Sequence, residues 1–254
     1  MSTFSIVTVC YNAEKEIIKT IDSVLNQSLT DYEYLIVDGK SEDRTVELVN
    51  SYKDKFSLKN VNYRIISEKD SGIYDAMNKS IEICNGDFIL YLNAGDWFAN
   101  DSILLNVKSK IKAGIDIIYG DVICVGNNNE NKTILAGKTD EMIWHMPFCH
   151  QCVFTSKRIL KELMFETKYK ICADYDLFLR CYKKYGKNVF EKLNIPVSYY
   201  LDGGFSTSDS GITSGFEMLN IRKEHNCISK SEYWLGMIKL YLKKYIIKYK
   251  EIIK

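Results

Sequence analysis

The chain has 254 residues, 46% apolar and 26% charged, which is long enough to bury a full core without staples and unlike a disordered segment. Its formal charge of +1 hides a division, because residues 230–254 hold seven lysines against two acids while the rest holds 27 basic residues against 31 acidic ones. An acidic body argues against nucleic acid as a partner.

The chain opens directly on a strand-like run, Phe4 to Cys10, with no basic segment, apolar stretch of signal length or cleavage site, so no export signal is expected. The eight cysteines are scattered and read as reduced thiols in a cytoplasmic setting. Asn12 is a candidate cap for a helix whose stripe is Ile17, Ile18, Ile21, Val24 and Leu25. Further strands are expected near 33–37, 61–66 and 87–92. Between the last two, Ile73, Ala76, Met77, Ser80, Ile81 and Cys84 recur at helical spacing, closed by Asn85-Gly86. Alternating strands and helices predict a mainly parallel α/β sheet.

Beyond Asp101 the order changes to a helix reaching about Lys112, strands at Ile115–Tyr119 and Val122–Val125, a turn of three asparagines and a strand at Thr133–Ala136, a mixed or antiparallel half. Cys149 and Cys152 fall at C-x-x-C spacing beside His145 and His150, but no second pair completes a zinc set. Two small side chains entering a strand is the plainer reading. The division expected is a nucleotide-binding half at about 1–100, an acceptor half at about 101–226 and a basic amphipathic helical tail at 227–254.

In open parallel sheets ligands sit outside the carboxyl ends of the strands, which directs attention to Tyr11-Asn12, Asp38 to Asp43, and Asn93-Ala94-Gly95-Asp96. Asp38 either accepts from a ribose or base or closes an Asx-turn. Asp96 either holds a divalent cation, which typically takes one or two protein carboxylates, or caps a turn. From Asp174, Leu177, Phe178, Cys181, Tyr182 and Tyr185 follow at helical offsets, so this acid continues a buried stripe at a helix start and suits a general base, with a plain cap as the alternative. Asp176 has Arg180 four residues on, a solvated surface pair. His150 either lines the acceptor side or is a hydrogen-bonded core histidine, and Trp144 and Trp97 either stack on sugar rings or pack.

Together Thr8 to Asn12, Val37 to Thr45, Ser67 to Lys79, Leu92 to Trp97 and Ala173 to Asp176 resemble, in order, the motifs of the inverting family 2 glycosyltransferases of GT-A fold, over roughly residues 4 to 205. Pro147-Phe148-Cys149-His150-Gln151 is similar to a segment of the branch that builds bacterial surface polysaccharides and lipopolysaccharide. The resemblance implies a nucleotide-sugar donor, UDP-linked, and a glycan or lipid-linked acceptor. It assigns Thr8, Tyr11 and Asp38 to the donor nucleoside and Asp70, Asn78, Lys79 and Asn93 to the nucleotide or diphosphate side. His150 and Trp144 fall on the acceptor side, Asp96 ligates Mn²⁺ or Mg²⁺, and Asp174 is the base. Asn93 and Gly95 stand where many members carry acids, and Ala173 replaces a common Glu. The alternatives are a non-catalytic sugar-nucleotide-binding or scaffold subunit and a sugar nucleotidyltransferase, although the Gly-rich loop of the latter is missing from residues 8 to 16.

From Tyr233 onward, Trp234, Ile238, Tyr241, Leu242, Tyr245, Tyr249 and Ile252 lie along one side of a helix with lysines interspersed. Lysine breaks every apolar run, so the helix is too polar to span a bilayer. It suits an anionic membrane surface, placing the protein peripherally on the inner face of the cell membrane, or else it packs on the domain or a homodimer partner.

Overall fold

The computed structural model describes residues 2–126, 130–201 and 211–253. Four strands, β1 (Phe4–Cys10), β2 (Tyr32–Asp38), β3 (Asn62–Ser67) and β4 (Phe88–Tyr91), pair in parallel in the order β3-β2-β1-β4. The sheet continues through β8 (Val153–Ser156), β6 (Ile117–Val125), β9 (Phe190–Leu201) and β5 (Trp97–Phe98), with β7 (Asn131–Ile134) as a hairpin partner of β6. β8 runs antiparallel to both β4 and β6, whereas β6 and β9 are parallel, so the second half is mixed.

Side chains alternate across β1 as a strand requires. Val7 and Val9 face a core shared with α4 (Ile73–Ile83), α6 (Lys157–Leu163) and α7 (Ala173–Tyr185). Phe4, Ile6 and Cys10 face the opposite core, covered by α1 (Ile17–Leu25), α2 (Thr45–Asn50), α3 (Lys53–Leu58) and α5 (Ile103–Lys108). Ile17, Ile21 and Val24 of α1 are fully buried, each contributing about 1.5–3 kcal/mol.

Several expectations are corrected. Asn12 does not cap α1, which starts at Ile17; at φ 49° it adopts the left-handed turn that asparagine tolerates, and its Oδ1 accepts from the Glu42 N–H at 2.9 Å, tying the first loop to the second. The helix expected to reach Lys112 ends at Lys108. The two strands at 115–125 are one, with a register shift around Asp121. The strand expected at Thr133–Ala136 is β7, ending at Ile134, because the Ala136 N–H turns to the Asp121 carboxylate at 2.8 Å. The three-asparagine turn lies outside the described residues. β9 was not anticipated; its side chains mix buried and exposed positions without a clean period.

Asp176 is 2% exposed, not solvated. Its carboxylate takes Arg180 Nε at 2.7 Å and meets His225 Nε2 at 2.8 Å, while the Arg180 guanidinium donates to the Leu163 and Met164 carbonyls at 2.6 and 2.7 Å. The cause is α8 (Ile212–Glu224), whose Met218 and Ile221 close over α7 and remove water from that face. Antiparallel to α8 runs α9 (Lys230–Ile253). A Cβ at Gly215 would stand 2.8 Å from Leu240, and one at Gly236 would stand 2.8 Å from Leu219, so each glycine receives the other helix's leucine.

Glu33 supplies a test of the sheet's other end. It is 1% exposed and accepts from Ser5 Oγ at 2.6 Å, Arg64 Nη2 at 2.9 Å and Asn85 Nδ2 at 3.0 Å. Burial alone would raise its carboxyl, but these donors and the Asn85 N–H outweigh burial and hold it below the ordinary 4.5. Its stabilisation is therefore complete above pH 4.5 and is lost as pH falls through the depressed value. Glu33→Gln is expected to lower stability at pH 7 by about 1.5–3 kcal/mol, with the gap from wild type closing in acid. Denaturant melts at the two pH values check this; an equal gap at both would refute the charge's role.

Candidate functional site

The carboxyl ends of β1, β2, β3 and β4 bring the loops at 11–16, 39–44, 68–72 and 92–96 to one edge of the sheet. Gly39 lies where two of these loops meet, and a Cβ there would come within 2.8 Å of Asp70 Oδ2 and 3.4 Å of the Tyr11 ring. A cavity of about 460 Å³ opens beside them, walled by Tyr11, Asp70, Gly72, Tyr74, Tyr169 and Lys170. A second, of about 30 Å³, adjoins it through Ile73 and Tyr74 and is walled also by His150 and Asp174.

Asp174 sits in the first turn of α7. His150 Nδ1 lies 3.5 Å from Asp174 Oδ2, the Tyr74 hydroxyl lies 3.3 Å from Oδ1, and the Tyr175 N–H donates to Oδ1 at 2.8 Å. On its far side the His150 ring meets Asn93 Nδ2 at 3.1 Å. Burial would lower the His150 pKa, but its hydrogen bond to Asp174 and the charges of Asp174 and Asp96 outweigh burial and raise it above 6.5. Burial pushes the Asp96 carboxyl up to about 7, partly opposed by His150. Cys149 feels both acids as well. Asp174 and His150 share the smaller recess, while Asp96 lines neither cavity and acts on His150 and Cys149 through its charge.

No protein hydrogen bond or ion pair among the described residues engages the Asp96 carboxylate, and the buried Asn93 Oδ1 likewise has no partner there. No group of three or more His, Cys, Asp or Glu among the described residues makes a closed metal cage. This donor set, one free carboxylate with an unpaired amide oxygen, fits a divalent cation that completes its shell with phosphate and water.

Four expected donor contacts are placed elsewhere. The Thr8 hydroxyl is fully buried beneath the site, bonded to the Leu92 carbonyl at 2.7 Å and to Tyr34 Oη at 2.9 Å. Asp38 is fully buried as well. Its oxygens accept from the Ser41 N–H at 3.0 Å, the Ser67 hydroxyl at 2.6 Å and the Ser41 hydroxyl, which is the Asx-turn alternative. The Asn78 amide is spent on the Phe165 carbonyl and N–H at 2.9 and 2.8 Å, clamping the 165–172 loop. Lys79 is shared between Glu68 and Asp75 at 3.3 Å each and lines neither cavity.

Tyr11 is 61% exposed at the cavity mouth, and Asp70 lies on its wall, where it accepts from the Gly72 N–H at 2.9 Å. Trp144 is half exposed under the Arg222 guanidinium, 5.6 Å from its ring centre, and lines neither cavity. Trp97 is packed between Lys19 and Tyr199, so its ring faces are taken. Cys152 is buried against Ser198 Oγ at 3.1 Å, and burial raises both thiols of the C-x-x-C pair. Tyr74, Tyr169 and Lys170 were missed. Tyr74 lies next to the stripe of α4, and it is marked by its hydroxyl's contacts with Ile171 and Asp174, about 100 residues away.

A sequence model described as "Glycosyl transferase family 2" matches residues 5–172. A "PGL/p-HBAD biosynthesis glycosyltransferase" of Mycobacterium bovis (strain BCG / Pasteur 1173P2) is 28% identical over 182 residues, 70% of this chain and 69% of that protein. The "Amylovoran biosynthesis glycosyltransferase AmsB" of Erwinia amylovora is 29% identical over 196 residues, 71% of this chain and 64% of that protein. Among solved structures, S. aureus TarS 1-349 in complex with UDP-GlcNAc superposes with a TM-score of 0.68 at 17% identity, covering 95% of this chain and 72% of that one. The chain spans 43% of a longer TarS structure. The mannosyltransferase PcManGT from Pyrobaculum calidifontis, in complex with GDP-Man and Mn²⁺, superposes with a TM-score of 0.64 at 15% identity, covering 95% of this chain and 70% of that one. No helix among the described residues is long and apolar enough to cross a membrane. With its family model matched across most of the chain and its sheet matched by GT-A structures, the chain belongs to glycosyl transferase family 2 and is a glycosyltransferase of GT-A fold.

Proposed function

We propose that the chain transfers a sugar, with inversion, from a UDP-linked donor to a hydroxyl of a glycan or lipid-linked acceptor in bacterial surface-polysaccharide assembly. One observation carries this reading: a single histidine, His150, touches Asp174 and Asn93 and feels the charge of Asp96, in the small recess that adjoins the cavity of Tyr11 and Asp70.

Asp174 takes the proton of the acceptor hydroxyl. The acceptor oxygen attacks the anomeric carbon from the face opposite the diphosphate, the carbon–oxygen bond to the diphosphate breaks with its electron pair, and configuration inverts. His150 and Tyr74 orient the Asp174 carboxylate. Asp96 with Asn93 would hold Mn²⁺ or Mg²⁺, which when bound offsets charge on the leaving diphosphate by several kcal/mol. Tyr11 remains for the donor nucleoside, Asp70 for the nucleotide or diphosphate side, and Trp144 for the acceptor approach. The cation-bearing structure and the UDP-sugar complex of the fold neighbours support this choice of donor and cofactor. The relatives named for amylovoran and PGL/p-HBAD biosynthesis support the acceptor class. A panel of nucleotide sugars, screened by thermal stabilisation with Mn²⁺ and then by acceptor-dependent release of the nucleotide, tests the reading. If none stabilises the protein and none is turned over, it fails.

The acceptor reading extends to α9. Trp234, Ile238, Tyr241, Tyr245 and Tyr249 recur at intervals of three and four and are more than half exposed, on the side away from the Gly236 and Leu240 contacts with α8, with Tyr241 at its border against Phe216 of α8. Lys239 and Lys244 are exposed beside that apolar arc. This arrangement suits the surface of an anionic bilayer, with the apolar side down. Full-length protein is expected to sediment with phosphatidylglycerol vesicles, less so in raised salt. Neutralising both lysines with Lys239→Gln and Lys244→Gln is expected to weaken binding by about 2 kcal/mol, roughly 30-fold. A full-length chain that ignores such vesicles would remove the membrane from the proposal.

A further inference from the structure

Three consecutive backbone N–H groups just ahead of Asp174 converge on one carboxylate that lies about 45 residues downstream in sequence. Glu217 of α8 accepts from Lys170 N at 2.7 Å through Oε1, and from Ile171 N and Cys172 N at 2.9 Å each through Oε2. Cys172 is the residue that opens α7, and its side chain makes no cap to the helix. Donors of this kind need a partner from elsewhere, and successive N–H groups form a natural anion cradle. Here the anion is the protein's own.

The peptide so held is gripped from both sides. While the Ile171 N–H donates to Glu217, the Ile171 carbonyl accepts from the Tyr74 hydroxyl at 2.5 Å, and that hydroxyl is also the one 3.3 Å from Asp174 Oδ1. Further along α8, Glu224 takes Lys168 Nζ at 2.6 Å and the Tyr169 hydroxyl at 2.9 Å, so the whole 168–172 approach hangs on acids of one helix. The same approach supplies Tyr169 and Lys170 to the cavity wall.

We infer that Glu217 is a positioning residue for catalysis: its carboxylate fixes the 170–172 backbone, and through it the place of Asp174 against His150 and Tyr74. The inference rests on the reading of Asp174 as the base. A base displaced by about 1 Å loses on the order of 100-fold in rate.

Glu217→Gln keeps the volume but turns an NH₂ group toward a backbone N–H. It is expected to lower kcat, at saturating donor, by roughly 10–100-fold. Glu217→Asp, which keeps the charge on a shorter arm, is expected to recover part of that loss, and it carries the test if the Gln variant does not fold. The decisive measurement is the double variant with Asp174→Asn: if Glu217 acts through Asp174, adding Glu217→Gln to Asp174→Asn costs less than about twofold of the residual rate. Wild-type kcat in Glu217→Gln, or the same fold loss in both backgrounds, would overturn the inference. If Asp174→Asn alone keeps full activity, the base assignment fails instead, and the two failures are told apart within one set of assays.

Discussion

Asp174→Asn is expected to reduce sugar transfer by roughly 10²–10⁴-fold while donor binding stays near wild type. The substitution keeps the shape of the side chain and leaves an oxygen to accept from the Tyr175 N–H and the Tyr74 hydroxyl, so α7 has no reason to move. What it removes is the ability to take a proton. Asp174 lines the recess under the larger cavity without being one of that cavity's walls, so the nucleotide end of the donor has no contact to lose. Turnover with acceptor, set against the donor dissociation constant measured by calorimetry, checks the split. A variant that transfers sugar within a few fold of wild type would end the general-base role.

Asp96→Ala is the second large effect. It is expected to lower metal-supported turnover by on the order of 10³-fold, the equivalent of about 4 kcal/mol of charge stabilisation on the leaving diphosphate. It should also abolish the increase in nucleotide affinity that Mn²⁺ brings, a readout independent of catalysis. The physical ground is the isolation of this carboxylate: half-buried, beside a histidine, and without a hydrogen bond or ion pair of its own among the described residues. A carboxylate withdrawn even partly from water in that condition is costly unless something else meets it. The buried oxygen of Asn93, in the same loop, is likewise without a partner among the described residues and is the second donor atom proposed for the cation. If Asp96→Ala turns over as fast as wild type in Mn²⁺ and gains the same nucleotide affinity from it, Asp96 is not a ligand.

The strands and helices of the first hundred residues were legible because their signal is local. An apolar run such as Phe88 to Tyr91 and a stripe such as that of α4 carry their period within a dozen residues, and the sheet that results has the parallel order the alternation predicts. The positions of Asp96 and Asp174 were legible for a related reason: an acid at a strand end and an acid at a helix start are placed by their own elements. β9 left no such trace, since a strand flanked by β6 and β5 mixes buried and exposed positions without a clean period. Asp176 was misread because its helix is covered on both sides, and nothing within α7 announces the helix that covers it.

By itself the sequence determined the fold class and named the two acids worth testing. Tertiary structure alone decided which polar side chains are free. Thr8 and Asn78 have donor-like residue types, yet their atoms are used up by Leu92 and Phe165, more than 80 positions away. Glu217 has nothing in its neighbourhood to mark it, yet three N–H groups end on it. A hydrogen-bonding group has only a few places to give, and whether a ligand or the protein fills them depends on residues that only folding brings within 3 Å.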